Sequence, residues 1–340
     1  MKNRKRTGRI FSTAFILALW GGWALLARPV LGGTLSFSKP EKLATLPWLD
    51  GSNHGVPPSG PEWLMVDKQS RFVLESNLDF VLYTPAAKYL QTLQPIDKSK
   101  NFYGFTAMES ASDGSLLLFA RLETPQEQWG KDNFQEHSKP GARLIVLSPD
   151  GQVKKDKEEL DADQPHSSYY LEDGVAYSVR DDGSYKVLDS FDGRPAKEGA
   201  FTQFASFASS PANWLDHLKH LSVFHSGNRF YHDTKGQTHP VPGATASLMG
   251  QNLVEGTGPL AIRKGVIYYQ VVCDKNQDFI NAVFVEDPVR KNYGLVDLFR
   301  SEEELDMVHG HTVFVDSKGN LFEGVGKKDG YRIYEWKRIN

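Results

Sequence analysis

Val313-Phe314-Val315-Asp316-Ser317-Lys318-Gly319-Asn320-Leu321-Phe322 sets two short apolar runs on either side of a polar turn. Three consecutive β-branched or aromatic residues running into Asp-Ser-Lys-Gly read as a strand entering a tight hairpin, with Gly319 supplying the positive φ that such a turn demands. Leu144-Ile145-Val146-Leu147 followed by Ser148-Pro149-Asp150-Gly151-Gln152 repeats the layout, so the two segments are expected at equivalent places in different repeats. Similar polar turns stand at Asp67-Lys68-Gln69, Asp113-Gly114, Asp150-Gly151, Asp192-Gly193, Lys235-Gly236, Lys275-Asn276 and Lys318-Gly319, each breaking a pair of β-rich runs. Counted from Lys68, the steps are 46, 37, 42, 43, 40 and 43 residues. That is close to the roughly 40 to 45 residues of one four-stranded propeller blade.

The strands implied are short, apolar and separated by Gly, Asp, Asn, Ser and Pro, as at residues 115–121, 143–148, 174–180, 266–272, 280–285 and 312–316. This is an all-β pattern, without the long helices that alternate with strands in α/β folds. It predicts a single β-propeller of seven, alternatively six, four-stranded blades. Residues 33–38 and 331–339 alternate apolar and polar side chains, and their pairing is expected to close the ring and hide its two edge strands. Short helices are expected at residues 210–221, 295–305 and 86–93. The Pro/Gly-rich residues 47–61 read as a lead-in to the first blade, with a rim loop as the alternative. The turn spacing resembles the broad β-propeller class that includes NHL, quinoprotein-like and WD40-like repeats. The resemblance implies the ring fold over most of residues 34–340. The Trp-Asp and Gly-His marks of WD40 blades and the tryptophan-rich quinoprotein repeat are absent, so no subfamily is implied.

Ahead of this domain, Met1-Lys2-Asn3-Arg4-Lys5-Arg6 and Arg9 precede residues 10–27, which carry no charge. A basic flank before an apolar stretch predicts membrane targeting with the N-terminus left in the cytoplasm. Residues 1–33 are therefore a signal peptide, cut before Gly33, or an N-terminal membrane anchor. Either places residues 34–340 outside the cytoplasm, in the periplasm or beyond it. The net charge of -3 leaves no basic surplus for nucleic acid. Cys273 is the single cysteine, excludes an intrachain disulfide and reads as a small buried hydrophobe.

Candidate chemistry is sparse. Asp274, Asn276 and Asp278 alternate as the first ligands of a calcium loop do, because a hard cation wants clustered oxygens. Phe279 stands where that loop needs Gly, and Val285 where it needs Glu, so a solvated hairpin turn is the expectation and calcium the alternative. His309 and His311 lie two apart on a strand and could share a face toward a metal. His217 and His220, His54 and His166 are read as ordinary histidines. The acidic residues 156–163 are interleaved with lysines and read as a solvated loop or strand edge. Neither a Gly-x-Ser-x-Gly elbow nor a glycine-rich phosphate cradle occurs. The expectation is a non-catalytic binding or assembly module of the cell envelope, holding a protein or glycan partner on a propeller face, without a cofactor. The alternative is a propeller hydrolase or lyase with its active site, metal-dependent or not, in the central channel.

Overall fold

The computed structural model describes residues 34–51, 54–95, 102–123, 138–159, 168–172, 174–179, 185–190, 230–232, 238–240, 252–274, 279–287, 290, 292–299 and 311–340. All regular structure among them is β. Four antiparallel sheets have four strands each. The first contains β2 (Trp63–Val66), β3 (Phe72–Ser76), β4 (Asp79–Tyr83) and β5 (Tyr89–Leu93). The second contains β6 (Phe102–Ser110), β7 (Leu116–Glu123), β8 (Ser138–Leu147) and β9 (Val153–Glu159). A three-stranded sheet follows, β10 (Ser168–Glu172), β11 (Val175–Val179) and β12 (Tyr185–Ser190), and then a hairpin of β13 (Phe230–His232) and β14 (Thr238–Pro240). The next four-stranded sheet holds β15 (Asn252–Arg263), β16 (Val266–Asp274), β17 (Phe279–Asp287) and β18 (Asn292–Asp297). The last pairs β19 (His311–Val315), β20 (Leu321–Lys327) and β21 (Gly330–Trp336) with β1 (Glu41–Leu46) from the other end of the chain.

The first strand of each sheet is the innermost. β19 touches β2, β6 touches β10, β10 touches β15, and β15 touches β19. The first and second sheets are joined where Lys68 N donates to Ser110 Oγ (2.8 Å) and Arg71 Nη2 to the Gly114 carbonyl (3.1 Å). The sheets thus form a ring, a β-propeller. Apolar side chains fill the spaces between neighbouring sheets: one cluster joins the last, first and second sheets, a second joins β15–β18 to the last, and a third joins β6–β9 to β10–β12. Each fully buried Leu, Val or Phe in these layers contributes about 1.5 to 3 kcal/mol.

The described residues hold four complete blades, where the turn spacing predicted seven or six. The discrepancy has a local cause. Any hairpin needs the same turn chemistry, so the turns are not blade markers. Asp113-Gly114 joins the first and second strands of its sheet, whereas Asp150-Gly151 joins the third and fourth strands of that same sheet. The Ser148–Gln152 and Asp316–Asn320 turns are therefore not at equivalent places. What does recur is a positive-φ residue between first and second strands: Ser70 (φ 60), Gly114 (86), Gly174 (76), Gly265 (76) and Gly319 (87).

The two ends of the chain do pair, and over a longer stretch than expected. β1 pairs along β21, from Glu41 opposite Glu335 to Leu46 opposite Tyr331, with a bulge between Lys42 and Ala44. Pro40 separates β1 from residues 33–38 and has no N–H for a ladder. The earlier stretch pairs with the end of the chain as expected, with Phe37 bridging Arg338, Ser38 N donating to Lys337 O (2.8 Å) and Ile339 N to Ser36 O (2.9 Å), and it also meets β18, where Leu35 N donates to Tyr293 O (2.8 Å). Residues 47–61, in their described part, run from β1 to β2. There Trp48 packs edge-on against Tyr331 (6.2 Å) and donates its indole N–H to the Lys327 carbonyl (2.9 Å). One expected helix is a strand: Tyr89–Leu93 is β5, paired to β4, so sheet pairing overrides the local helical spacing there. Of the second, residues 295–305, the start Leu295–Asp297 ends β18, paired to β17, and residues 300–305 lie outside the described residues. The third, residues 210–221, lies outside the described residues, as do residues 10–27. Among the described residues no helix is long and apolar enough to cross a membrane.

Candidate functional site

Inner strands end in two ways. In the first and last sheets the strand is followed by an aspartate that organises a five-residue turn. Asp67 Oδ1 accepts from Gln69 N (2.9 Å) and Arg71 N (2.8 Å), and Asp316 Oδ1 accepts from Lys318 N and Asn320 N (both 2.8 Å). The Asp67 carboxylate is wholly buried, and its other oxygen takes the Arg71 Nε–H at 2.6 Å. A buried carboxylate is tolerated only when its acceptor sites are filled, and here the turn amides and one guanidinium fill them.

β15 ends differently. Leu260-Ala261-Ile262 leads into Arg263, and the two-residue turn Lys264-Gly265, both at positive φ, starts β16. This is the primed hairpin that suits the right-handed twist of strands. With so short a turn, the charge falls on the last residue of the innermost strand. Arg263 is 6% exposed. Its Nε donates to Val315 O (3.1 Å) on β19, and its Nη1 to Leu171 O (2.6 Å) on β10 and to Ile262 O (3.1 Å). One guanidinium therefore clips three inner strands together.

These ends surround a cavity of about 650 Å³. Its charged lining comes from four sheets: Asp67 and Lys68, Glu109, Arg263, and Asp316, Lys318 and Glu335; Phe72, Phe314 and Phe322 supply an apolar wall. Glu109 is buried, and its Oε2 accepts from Gly174 N (2.7 Å), tying the second sheet to β10–β12. Burial raises the Glu335 carboxyl above the ordinary range, against the opposing pull of Lys337 3.7 Å away. Outside the cavity, Tyr268 donates to the Gly319 carbonyl (3.1 Å), and burial pushes its phenol up. A Cβ on Gly319 would lie 2.5 Å from that hydroxyl.

Of the residues singled out in the sequence, the described ones lie away from the cavity. Asp274 ends β16, opposite Phe279, at the far end of that strand from Arg263. Asn276, Asp278 and His309 lie outside the described residues. His311 begins β19, opposite Val325, again at the far end from the cavity. Among the described residues no three His, Cys, Asp or Glu side chains are grouped to hold a metal ion. His54 stacks on Tyr89 (3.8 Å, 10°), and its carbonyl accepts from the Tyr83 hydroxyl (2.6 Å), whose phenol burial pushes up to about 12. His166, His217 and His220 are outside the described residues. Asp156 sits on β9, the outer strand of its sheet, and pairs with Arg143. Sequence reasoning passed over Arg263 and Glu109. The available signal was a charge ending an otherwise apolar strand, at Leu260-Ala261-Ile262-Arg263.

No family model matches the chain, and no curated protein does. Solved structures resemble it loosely. An endo-arabinase from Bacteroides thetaiotaomicron is 13% identical, with 84% of this chain and 97% of that one covered, at a TM-score of 0.36. An exo-beta-1,3-galactanase from Phanerochaete chrysosporium is 10% identical over 88% and 65%, at 0.36. An acylaminoacyl peptidase from Pyrococcus horikoshii is 13% identical over 86% of this chain at 0.35, and this chain spans only 46% of its length. Likenesses this loose carry no argument about the site or its chemistry; the fold rests on the strand topology above.

Proposed function

We propose that this chain is an exported, non-catalytic β-propeller that binds a glycan at the central cavity. The observation that carries the reading is the state of the cavity's carboxylates. Three of the four lining carboxylates, Asp67, Glu109 and Asp316, each accept hydrogen bonds that hold a turn or join two sheets, and the fourth, Glu335, faces Lys337 at 3.7 Å. Acids so engaged stabilise the ring and are poorly placed to shuttle protons, which a hydrolase or lyase needs. A volume of about 650 Å³ falls within the roughly 300 to 1,000 Å³ of small-ligand sites and suits one or two sugar units rather than a folded protein surface. Ser110 and Ser317 on the lining can meet sugar hydroxyls, and the phenylalanines an apolar ring face. The ring itself is read as having five inner strands, β2, β6, β10, β15 and β19, with β10–β12 the described part of an incomplete blade. Export rests on the basic N-terminus and uncharged residues 10–27.

The test is to incubate full-length protein with a panel of envelope glycans and follow both binding and ligand mass. Retention of an intact glycan supports the binding module. Cleavage of a bound glycan, lost in a Glu109→Gln variant that keeps its fold, would replace it with the channel enzyme. Protease protection of the domain in intact cells, lifted when the outer barrier is opened, is the result expected for export.

A further inference from the structure

Arg263 is a cation with no carboxylate partner among the described residues. Its Nε and Nη1 are spent on three backbone carbonyls, and among the described residues no carboxylate lies within ion-pair distance. Nη2, with two N–H groups, makes no hydrogen bond to any described residue. Yet the residue is more than nine-tenths buried and lines the cavity. Burying a cation without a counter-charge is costly, and carbonyl dipoles offset only part of that cost. The nearby acids are otherwise engaged: Asp67 is held by Arg71, Asp316 by its own turn, and Glu109 accepts from Gly174. The fourth acid on the lining, Glu335, faces Lys337 (3.7 Å), and two lysines, Lys68 and Lys318, line the cavity with Arg263.

We propose that Arg263 is the anchor for a carboxylate, so that the glycan bound in the cavity is an acidic one carrying a uronate. This rests on the glycan-binding reading above and names its ligand class. The three carbonyl bonds fix the guanidinium plane before any ligand arrives, which lowers the ordering cost of binding. Because Nε and Nη1 are taken, the carboxylate meets Nη2 alone, end-on, and not across the two-nitrogen fork that arginine usually offers.

Glucuronate, its methyl ester and glucose are titrated calorimetrically into the full-length protein, each also against Arg263→Gln. Glucuronate is expected to bind at least about tenfold more tightly than the ester, as removing one charge-assisted hydrogen bond predicts. Arg263→Gln, checked for native circular dichroism, should abolish that difference. Equal binding of acid, ester and glucose would overturn the carboxylate anchor while leaving the glycan site standing. Binding of none of the three, alongside glycan capture that is insensitive to Arg263→Gln, would also overturn it. Failure of every glycan to bind would instead remove the underlying reading. The ester comparison uses unaltered protein, so a misfolded variant does not blunt it.

Discussion

The inner strands of the first and last blades close their ends with an acid, and the β15–β18 blade closes its end with a base. The consequences differ because an acid accepts hydrogen bonds and an arginine donates them. A five-residue turn folds its own amides back onto Asp67 or Asp316, so the charge is solvated by the loop that carries it. Arg263 is a donor and needs acceptors. Among the described residues it finds carbonyls: Ile262 on its own strand, and Val315 and Leu171 on two others. A charge satisfied within its own loop is structural, whereas one satisfied only in part by neighbours is left to act on something else.

This contrast can be broken by substitution. The largest effect is expected from Asp67→Ala, which strands two turn amides and the Arg71 guanidinium. Truncating one partner of a buried pair costs about 3 to 5 kcal/mol, read as a fall in the urea midpoint. Arg263→Met should cost less, about 1 to 3 kcal/mol from carbonyls left without donors, since no paired charge is orphaned; a larger loss than that of Asp67→Ala would reverse the assignment of roles. Asp316→Ala, in a half-buried turn, should cost about 1 kcal/mol. Ser70→Gly should stabilise slightly, by roughly 0.5 kcal/mol, as relief of left-handed strain outweighs the added freedom of the unfolded chain. The smallest effect concerns pH. The folded Glu335 holds its proton more tightly than the unfolded chain does, so its contribution is full below the ordinary carboxyl range and is lost as pH rises through the raised value. Glu335→Gln should flatten that decline in a pH series of melting temperatures; an unchanged slope would show that Glu335 does not contribute to it.

The all-β character and the presence of a ring were legible because alternation, β-branching and Gly or Asp at turns are local signals. Leu321-Phe322 after Asp316–Asn320 is a strand after a hairpin wherever it sits. The blade count was not legible, since Gly114 and Gly151 serve different turns of one sheet with the same chemistry. The closing strand was legible in part. Residues 36–38 pair with 337–339 as their alternation suggested, whereas the longer partner of β21, Glu41–Leu46, does not alternate, and only its packing, with Ala44 and Leu46 buried, marks it. The site was the least legible of all. Asp274 and His311 drew attention through spacing along the chain, yet Asp274 stands at the end of β16 away from Arg263, and His311 at the end of β19 away from the cavity.

Residue order was enough to establish the tight turns and most of the strands beside them, because those depend on neighbours within a few positions, although β5 was read as helical. It could not show that Arg263, Leu171 and Val315 meet, although they are separated by 92 and 52 residues. That meeting arises when inner strands from distant parts of the chain are brought to one axis. Only there does a strand-end arginine become a buried charge without an ionic partner among the described residues.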